Sequence, residues 1–432
     1  MVRQMNVYEA SIERLKFIFS YFDYVYVSFS GGKDSGVLLN LCIDYIRRFA
    51  PNRKLGVFHM DYEAQYQQTT EYVKRTLSAN RDILEIYHCC VPFKVVTCTS
   101  MHQSYWRPWE ENKRELWVRE HPKDCYTATD FSFFSEQLWD YDFQLLFAPW
   151  LLRRKQCKRI CCLVGIRTQE SYNRWRTIHA DKNYRRLFNY KWTHCIDRNI
   201  YNAYPIYDWD VSDVWTANGR FQWDYNHLYD LYYQAGVPLT RQRVASPFIS
   251  EAISSLSIYR VVDPDTWGKM VGRVNGVNFA GMYGRTMAMG WKSIQCPKGF
   301  SWKEYMNFLL STLPEDIRQN YQNKLNVSIR FWRERGGCLS DETIDKLRKA
   351  GIPFTVGNPT GYRTDKKPVK MEYIEDINIT EFREIPTYKR MCICILKNDH
   401  VCKYMGFSLT KQEMEKREHV LKKYKALKYG KL

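Results

Sequence analysis

The stretch "YVYVSFSGGKDSGVLLNL", residues 24–41, constrains the fold more than any other part of the chain. An alternating run of valine and aromatic residues precedes two adjacent glycines, and an apolar pattern of helical period follows them. Val37, Leu41 and Tyr45 recur every four residues, which predicts one apolar helix face. The stretch therefore predicts a buried strand, a glycine loop and a helix.

Three further apolar, β-branched runs follow the first one at intervals that leave room for helices. A helix is predicted over residues 65–79, between the second run and the third. Strands that alternate with helices are typical of βαβ units, in which helices cover both faces of a parallel sheet. We therefore predict an α/β fold with a Rossmann-like, doubly wound parallel sheet. The predicted strands are 24–29, 55–61, 83–92 and 159–167.

The chain has 432 residues, more than one ordinary core accommodates, so two domains are predicted. Residues 1–247 would form the α/β domain, with an aromatic-rich, partly helical insertion at about 93–150. Residues 248–432 would form a mainly helical domain with a basic tail. Within this second domain, residues 302–337 predict two helices that are separated at Pro314.

The formal net charge of +18 favours an anionic partner, such as a nucleotide, a nucleic acid or an acidic protein. No run of about 18 apolar residues occurs, so no membrane span is predicted. The 14 cysteines are scattered along a long chain, which is typical of free thiols in a reducing cytosol, so a cytoplasmic location is expected. Cys161 and Cys162 would point to opposite faces of a strand, and we predict a buried structural role for both.

The loop Ser30–Ser35 has the composition of an anion-binding site. The first N–H groups of a helix lack intrahelical partners and carry partial positive charge. Gly31 and Gly32 let the backbone approach a phosphate closely, and Lys33 adds a cation. Asp34 beside a phosphate indicates a Mg²⁺ ion between them, and the alternative is a favourable acidic residue in the first helical turn.

The spacing excludes two better-known phosphate loops. The mononucleotide P-loop requires a glycine where Val27 stands, and a serine or threonine where Asp34 stands. The dinucleotide fingerprint also fails, because the glycine-rich residues 272–285 follow no strand pattern. A surface loop is predicted for residues 272–285.

Ser-Gly-Gly-Lys-Asp-Ser after a strand resembles the signature loop of the PP-loop ATP pyrophosphatases, the adenine nucleotide alpha-hydrolase superfamily. Further stretches resemble the phosphoadenosine phosphosulfate (PAPS) reductase branch of that superfamily. The whole length is most similar to the immunoglobulin-binding regulator A-like group, which carries a helical C-terminal extension. The matching stretches are GVFHMDYEAQYQQTTEYV (56–73), GIRTQESYNRW (165–175), YPIYDWDVSDVW (204–215) and YNHLYDLYYQAGVP (225–238).

The resemblance implies an adenine nucleotide, ATP or PAPS, as the ligand. Asp61, at the carboxyl end of the second strand, would accept from a ribose hydroxyl or hold Mg²⁺, with a helix cap as the alternative. Arg167 and Arg174 would clamp phosphate oxygens, since guanidinium groups suit bidentate anion contacts. The predicted catalytic residues are Lys33, Asp34 (also the metal ligand), Arg167 and Arg174. The predicted nucleotide contacts are Ser28, Ser30, Gly31, Gly32, Lys33, Asp34, Ser35, Asp61 and Gly165.

The chain departs from the sulfonucleotide reductases in its thiols. Those enzymes end in Glu-Cys-Gly-Leu-His, whose thiolate is the nucleophile, whereas this chain ends in a lysine-rich segment. Cys161-Cys162 is present without any Cys-x-x-Cys, so no iron–sulfur cluster is expected. Reduction of PAPS by the family's own mechanism is therefore not predicted.

We predict an enzyme that acts at the α-phosphate, releases pyrophosphate and modifies an acceptor, or a variant that takes a sulfonucleotide and an external thiol. The alternative is a nucleotide-dependent regulator or a nucleic-acid-associated factor, for which the resemblance implies a ParB-like partner. The basic and aromatic run 173–192 suits either a nucleic acid or a loop that closes over a polyphosphate. The lysine-rich residues 422–431 would add nonspecific affinity for nucleic acid.

Overall fold

A computed structural model of the chain describes residues 5–179, 185–239, 242–244, 246–250, 252–284, 286–289, 294–358 and 366–407. Its strands are β1 (Tyr24–Ser28), β2 (Leu55–Met60), β3 (Leu84–Cys89), β4 (Val95–Ser100), β5 (Gln103–Trp106), β6 (Ile160–Val164), β7 (Thr193–Asp197), β8 (Ile200–Ala203), β9 (Gly337–Leu339), β10 (Phe354–Val356) and β11 (Lys367–Met371). Its helices are α1 (Val7–Tyr21), α2 (Lys33–Phe49), α3 (Gln67–Ala79), α4 (Asp140–Arg154), α5 (Tyr172–His179), α6 (Val211–Phe221), α7 (Leu228–Gln234), α8 (Tyr259–Val262), α9 (Pro264–Arg273), α10 (Val277–Tyr283), α11 (Trp302–Ser311), α12 (Glu315–Glu334), α13 (Asp341–Lys349) and α14 (Tyr388–Leu396).

Six strands form one sheet in the order β3-β2-β1-β6-β8-β7. Val27 of β1, the third strand in this order, is level with Val57 of β2 and Leu163 of β6. Neighbouring strands are parallel, except that β7 runs antiparallel to β8. The predicted doubly wound sheet is therefore confirmed, and the four predicted strands are β1, β2, β3 and β6. The sequence analysis missed β7 and β8, because these short strands carry polar residues.

The apolar face predicted for α2 is buried. Val37, Leu41 and Tyr45 are at most 7% exposed, and they share one core cluster with Val25 and Val27 of β1. Full burial of a large apolar side chain contributes roughly 1.5–3 kcal/mol. This packing anchors α2 against β1, so the glycine loop that joins them has a fixed start and a fixed end.

The aromatic residues of the predicted insertion 93–150 form a packed cluster. The ring of Phe131 lies 4.9 Å from the ring of Phe143 and 4.9 Å from the ring of Trp150, measured between centroids. Phe143 and Trp150 belong to α4. Aromatic pairs of this kind contribute about 0.5–1.5 kcal/mol beyond the area that they bury. The aromatic composition of the insertion therefore serves packing.

The chain forms two compact units. The first comprises Met1–Val95, Arg107–Pro247 and Ile258–Arg273, and the second comprises Val96–Trp106, Phe248–Ser257 and Val274–Leu432. Residues 96–106 thus belong to the second unit and residues 258–273 to the first, although each segment lies on the other side of residue 247. The domain boundary that the sequence places at residue 247 stays a prediction. No helix in the described parts of the chain has the length and apolarity needed to cross a bilayer.

The second unit is mainly helical and has its own apolar core. Strands β9, β10 and β11 form a small antiparallel sheet within it, in the order β10-β11-β9. Helices α11 and α12 are separated at Pro314, as predicted. The surface loop predicted for 272–285 is wrong, because the end of α9 and the whole of α10 together occupy most of that stretch. Val277 and Ala280 are completely buried on α10, and this burial outweighs the poor helix propensity of the glycines.

Part of the basic and aromatic run 173–192 lies outside the described residues, and the lysine-rich tail 422–431 lies wholly outside them. Within the described part of the run, Phe188, Tyr190 and Trp192 pack around Phe17 of α1, with ring centroids 5.1–6.0 Å from it. These rings have a structural role. The two functions proposed for the run stay predictions.

Candidate functional site

The crevice between the carboxyl ends of β1 and β6 is the point at which the strand order reverses. From β1 the chain moves outward to β2 and β3, and it later returns to β6 on the other side of β1. Ligands of open α/β sheets bind at such a switch point. Ser28, the last residue of β1, is level with Val164 of β6. The loops that follow these two residues carry most of the predicted site.

Gly31 and Gly32 shape the loop after β1. Gly31 has a φ of +76°, in the left-handed region that favours glycine, and a Cβ there would lie 2.9 Å from a methyl group of Val73. Gly32 is the N-cap residue of α2. A Cβ at Gly32 would lie 3.3 Å from Ser30 Oγ and 3.4 Å from the Tyr229 hydroxyl. Gly31 is therefore restricted to glycine by its conformation, whereas a side chain at Gly32 would require Ser30 or Tyr229 to shift slightly.

Hydroxyl groups of the protein accept from the N–H groups of this loop. The Lys33 N–H donates to the Tyr229 hydroxyl at 3.0 Å, and the Gly32 N–H donates to Ser30 Oγ at 3.3 Å. The Ser30 N–H donates to Ser35 Oγ at 3.2 Å. These three N–H groups thus donate to oxygen atoms of the protein's own side chains. Loop N–H groups that point to oxygen acceptors are also the means by which proteins hold phosphates.

Asp34 lies between two cations at the start of α2. Arg167 Nε donates to Asp34 Oδ1 at 2.6 Å, and Lys33 Nζ lies 3.5 Å from Oδ2. Lys33 Nζ also donates to the Gln242 carbonyl at 3.1 Å. The Arg167 and Lys33 side chains are only 3% and 7% exposed. Three predicted catalytic residues therefore meet in one cluster, which holds two positive charges and one negative charge.

The predicted Mg²⁺ ion at Asp34 stays a prediction. Magnesium in nucleotide sites is usually held by one or two carboxylates together with substrate phosphates and water. Asp34 supplies one carboxylate, and its two oxygens contact Arg167 and Lys33. Asp34 therefore holds the two cations beside the loop, and it would bind a metal only by giving up one of these contacts.

Gly165 and Arg174 differ in their relation to this cluster. A Cβ on Gly165 would lie 2.9 Å from the carbonyl carbon and oxygen of Asp34 and 3.0 Å from the Ser35 nitrogen. Gly165 therefore permits the loop after β6 to touch the first turn of α2. Arg174, on α5, is 43% exposed and lies 3.6 Å from Glu170, so its guanidinium pairs with that carboxylate rather than with Asp34.

Asp61 is buried where β2 ends, and protein groups engage both of its oxygens. Oδ2 accepts from His88 Nε2 at 2.7 Å, and Oδ1 accepts from the Glu63 N–H at 2.9 Å and from the Arg119 guanidinium. Burial alone would raise the pKa of Asp61, but Arg119 and His88 outweigh burial and hold that pKa well below its usual range. The predicted contact of Asp61 with ribose or Mg²⁺ stays a prediction.

Known proteins resemble both halves of the chain. Residues 24–235 match the phosphoadenosine phosphosulfate reductase domain, and residues 236–416 match a domain of unknown function, DUF3440. The uncharacterized protein YbdN of Escherichia coli strain K12 is 31% identical over 431 residues, which cover 99% of this chain and 96% of YbdN. The chain belongs to the YbdN family. Its predicted closeness to the immunoglobulin-binding regulator A-like group stays a prediction.

Three solved structures are similar to this member of the YbdN family. PAPS reductase from Candida auris is 17% identical and has a TM-score of 0.30, with 55% of this chain and 87% of that chain covered. Candida glabrata FMN adenylyltransferase with FMN and an ATP analogue is 14% identical, with coverages of 52% and 59% and a TM-score of 0.31. The U34-tRNA thiolase NcsA of Methanococcus maripaludis is 12% identical, with coverages of 64% and 78% and a TM-score of 0.31. None of these likenesses bears on the substrate of the YbdN family.

The site of this YbdN-family protein includes residues that the sequence analysis did not select. Asn226 is fully buried, and its Nδ2 donates to the Gly31 carbonyl at 2.9 Å. Tyr229 and Gln242 accept from Lys33, as described above. Asn226 and Tyr229 lie in the stretch 225–238, which resembles the family pattern, but the sequence alone indicated no role for either residue. Gln242 accepts through its backbone carbonyl, and a pattern of side chains in the sequence cannot predict such a contact.

We expect His59, on β2, to make the stability of this YbdN-family protein depend on pH. Its Nδ1 lies 2.8 Å from the Phe29 carbonyl, and burial, followed by the neighbouring His88, lowers the pKa of His59 to about 4. An unfolded histidine has a pKa of about 6.5, so the unfolded chain binds a proton in this window that the folded protein does not bind. The free energy of unfolding should therefore fall as the pH falls from 6.5 to 4, by about 3 kcal/mol at most.

Urea unfolding of the wild type and of His59→Gln at pH 7 and pH 4.5 measures this contribution. Burial raises the pKa of Asp140 to about 6, and this shift stabilises the folded protein in acid, opposite in sign to His59. Both proteins retain Asp140, so only the difference between them reports on His59. We expect the variant to lose less stability in acid than the wild type. Equal losses would contradict the assignment.

Proposed function

We propose that the protein binds an adenine nucleotide, ATP or a sulfonucleotide, through the loop Ser30–Ser35. The glycine loop is the observation that carries this proposal. The left-handed Gly31 and the N-cap Gly32 direct loop N–H groups to oxygen acceptors at the switch point of the sheet. Helix N-termini of this kind bind phosphates through their N–H groups and their partial positive charge. The PAPS reductase domain match supports adenosine as the rest of the ligand.

Phosphate binding in this loop would be an exchange of acceptors. Nucleotide oxygens would take over the N–H groups that now donate to Ser30, Ser35 and Tyr229. The serine hydroxyls can rotate away, whereas the buried Tyr229 hydroxyl leaves only with a shift of its side chain. Hydrogen bonds from these N–H groups to anionic phosphate oxygens are charge-assisted and therefore stronger than the neutral bonds that they replace. The affinity would come from these bonds together with the charges of Lys33 and Arg167.

The reaction that these residues support is substitution at the α-phosphorus of ATP. The nucleophile of an acceptor forms a bond to the α-phosphorus, the bond from that phosphorus to the bridging oxygen breaks, and pyrophosphate leaves. Lys33 and Arg167 would neutralise charge on the phosphates, and Arg174 would join them after it leaves Glu170. Such catalysis needs positioning and charge and no protein nucleophile. In the sulfonucleotide variant, an external thiol would supply the electrons.

Isothermal titration of the Lys33→Met variant with ATP and, separately, with PAPS tests the binding proposal. A hydrogen bond from a charged group contributes about 1.5–3 kcal/mol. The variant should therefore bind the preferred nucleotide roughly 10- to 100-fold more weakly than the wild type. Whichever of the two nucleotides binds the wild type more tightly identifies the ligand class.

The matched control is Lys74→Met, which removes an exposed lysine from α3 and should leave the affinity unchanged. Thermal unfolding of both variants shows whether they remain folded. A wild type that binds neither nucleotide, or a Lys33→Met variant that binds as the wild type does, contradicts the proposal. If nucleotide binds but pyrophosphate never appears with any acceptor, the reaction is wrong and the binding site stands.

The same pair of variants separates the enzyme from the alternative prediction, a nucleotide-dependent regulator or nucleic-acid-associated factor. Salt-dependent DNA or RNA binding that Lys33→Met retains would favour that alternative. Nucleic-acid binding that Lys33→Met abolishes would instead connect nucleic acid to the loop. A ParB-like partner stays a prediction.

A further inference from the structure

The sheet face that carries Asp61 and His88 continues into a pair of thiols. Cys90 lies two residues after His88 and therefore on the same face. A further segment adds to this edge in parallel: the Tyr126 N–H donates to the His88 carbonyl at 2.7 Å, and the Cys90 N–H donates to the Tyr126 carbonyl at 2.8 Å. This backbone pairing brings Cys125 level with His88 and next to Cys90.

The two thiols lie in one apolar cluster, because Cys125 packs against the buried group that contains Cys90, but they have different surroundings. Cys90 is 3% exposed and packs against Trp109 and Trp117. Cys125 is half-buried, and its Sγ lies 3.4 Å from His121 Nδ1. The pair therefore consists of one thiol that solvent reaches and a second thiol behind it.

Electrostatics makes the two thiols unequal in reactivity. The hydrogen bond from Cys90 lowers the pKa of Cys125 to about 7, against the effect of burial, and His121 acts in the same direction as the hydrogen bond. Burial raises the pKa of Cys90 far above its ordinary value. The thiolate is the attacking species in disulfide exchange, and an attacking thiol is most effective when its pKa is near the ambient pH. Cys125 is therefore suited to attack, and Cys90 is suited to the second step.

We propose that Cys90 and Cys125 form a redox-active dithiol that low-molecular-weight disulfides oxidise. The Cys125 thiolate attacks one sulfur of a disulfide R–S–S–R, which forms a mixed disulfide and releases one thiolate. The Cys90 thiol gives its proton to that thiolate, and its sulfur attacks Cys125. The Cys90–Cys125 bond forms, and the second R–S⁻ leaves and takes a proton from water. Two electrons thus pass from the protein to the disulfide, which ends as two thiols.

A second thiol pair in the same chain provides an internal control. Cys394 and Cys402 both lie in the apolar core of the second compact unit, and both are completely buried. Burial raises the pKa of the Cys394 thiol well above its ordinary value. We therefore expect the second pair to react more slowly than the first. The exposure of Cys125 and its contact with His121 are what set the first pair apart.

Peptide mass mapping of the full-length protein tests the proposal. The reduced protein is treated with oxidised glutathione at neutral pH, and the remaining thiols are alkylated with iodoacetamide before digestion. The wild type should yield a Cys90–Cys125 linked peptide, with Cys394 and Cys402 unlinked. Cys90→Ser should stop after the first step and accumulate glutathione on Cys125. Cys125→Ser should yield neither the link nor an adduct on Cys90.

The pH dependence of alkylation is a second measurement, and it distinguishes a reactive Cys125 from two thiols that serve only packing. The rate at Cys125 should fall about tenfold for each pH unit below 7, because the thiolate fraction falls in that proportion. Absence of the link in the wild type overturns the proposal, and that result needs no variant to fold. A Cys394–Cys402 link that forms as fast also overturns it, since general opening of the protein would then be the cause. Nucleotide plays no part in this experiment, so its outcome is independent of the proposed function.

Discussion

Replacement of Arg273 by methionine is expected to lower the free energy of unfolding by about 3–5 kcal/mol. Arg273 donates to both carboxylate oxygens of Glu63, at 2.8 Å and 3.1 Å, and the two side chains are 2% and 0% exposed. Glu63 also accepts from the N–H groups of Trp109 and Val118, at 2.7 Å and 3.0 Å. Without the Arg273 guanidinium, a completely buried carboxylate loses its ion-pair partner, and that state is costly.

Urea unfolding followed by tryptophan fluorescence measures this loss. Arg348→Met is the matched control, since Arg348 pairs with Asp345 at the surface, where the two side chains are 68% and 60% exposed. That variant should change the stability by at most about 1 kcal/mol. Adding Glu63→Gln to Arg273→Met should recover part of the loss, because the uncompensated charge is then removed. An Arg273→Met protein that unfolds at the wild-type urea concentration would show that the buried pair contributes little.

Replacement of Gly165 by alanine is expected to lower the free energy of unfolding by about 2 kcal/mol and to weaken nucleotide binding. The added methyl group would lie 2.9 Å from the carbonyl atoms of Asp34, where only backbone is available to move. Overpacking of this kind typically costs about 1–3 kcal/mol. The first turn of α2 would move away from the loop after β6, and this shift would separate Arg167 from Asp34.

Thermal unfolding with and without ATP measures both effects of the Gly165 substitution. Gly219→Ala is the control, because Gly219 lies in α6 and an added Cβ would meet no atom within 4 Å. The control should gain about 0.5–1 kcal/mol from the better helix propensity of alanine. If Gly165→Ala is as stable as Gly219→Ala, the two loops do not depend on their close contact.

The parts of the fold that were predicted correctly are those whose signal is local. Mostly apolar runs mark β1, β2 and β6, because strands that are buried on both faces carry apolar residues almost throughout. The edge strand β3 is less buried and includes Glu85 and His88, but its other residues are apolar enough to mark it. Strands β7 and β8 carry His194, Asp197 and Asn202, so their pattern does not differ from that of a loop. The α10 helix was missed because it is short, contains Gly281 and is flanked by Gly276 and Gly284, and these glycines favour a loop when the sequence is considered locally.

The candidate site shows the same division between local and distant signals. The glycine loop after β1 and the helix that follows it depend on neighbouring residues, and both were predicted. The hydroxyl on the Lys33 N–H belongs to Tyr229, which is 196 positions away along the chain. Arg119 reaches Asp61 across 58 positions. Contacts of this kind depend on tertiary packing, and a single sequence has no periodicity that records them.

The exchange of segments between the two compact units restricts where the gene for this protein can be divided during evolution. Ile258–Arg273 belongs to the first unit although it lies beyond the end of the reductase-domain match at residue 235. A gene shortened after that match would encode a first unit without the guanidinium that neutralises Glu63. We therefore expect fission or shuffling at this junction to be selected against, so that both halves are inherited together.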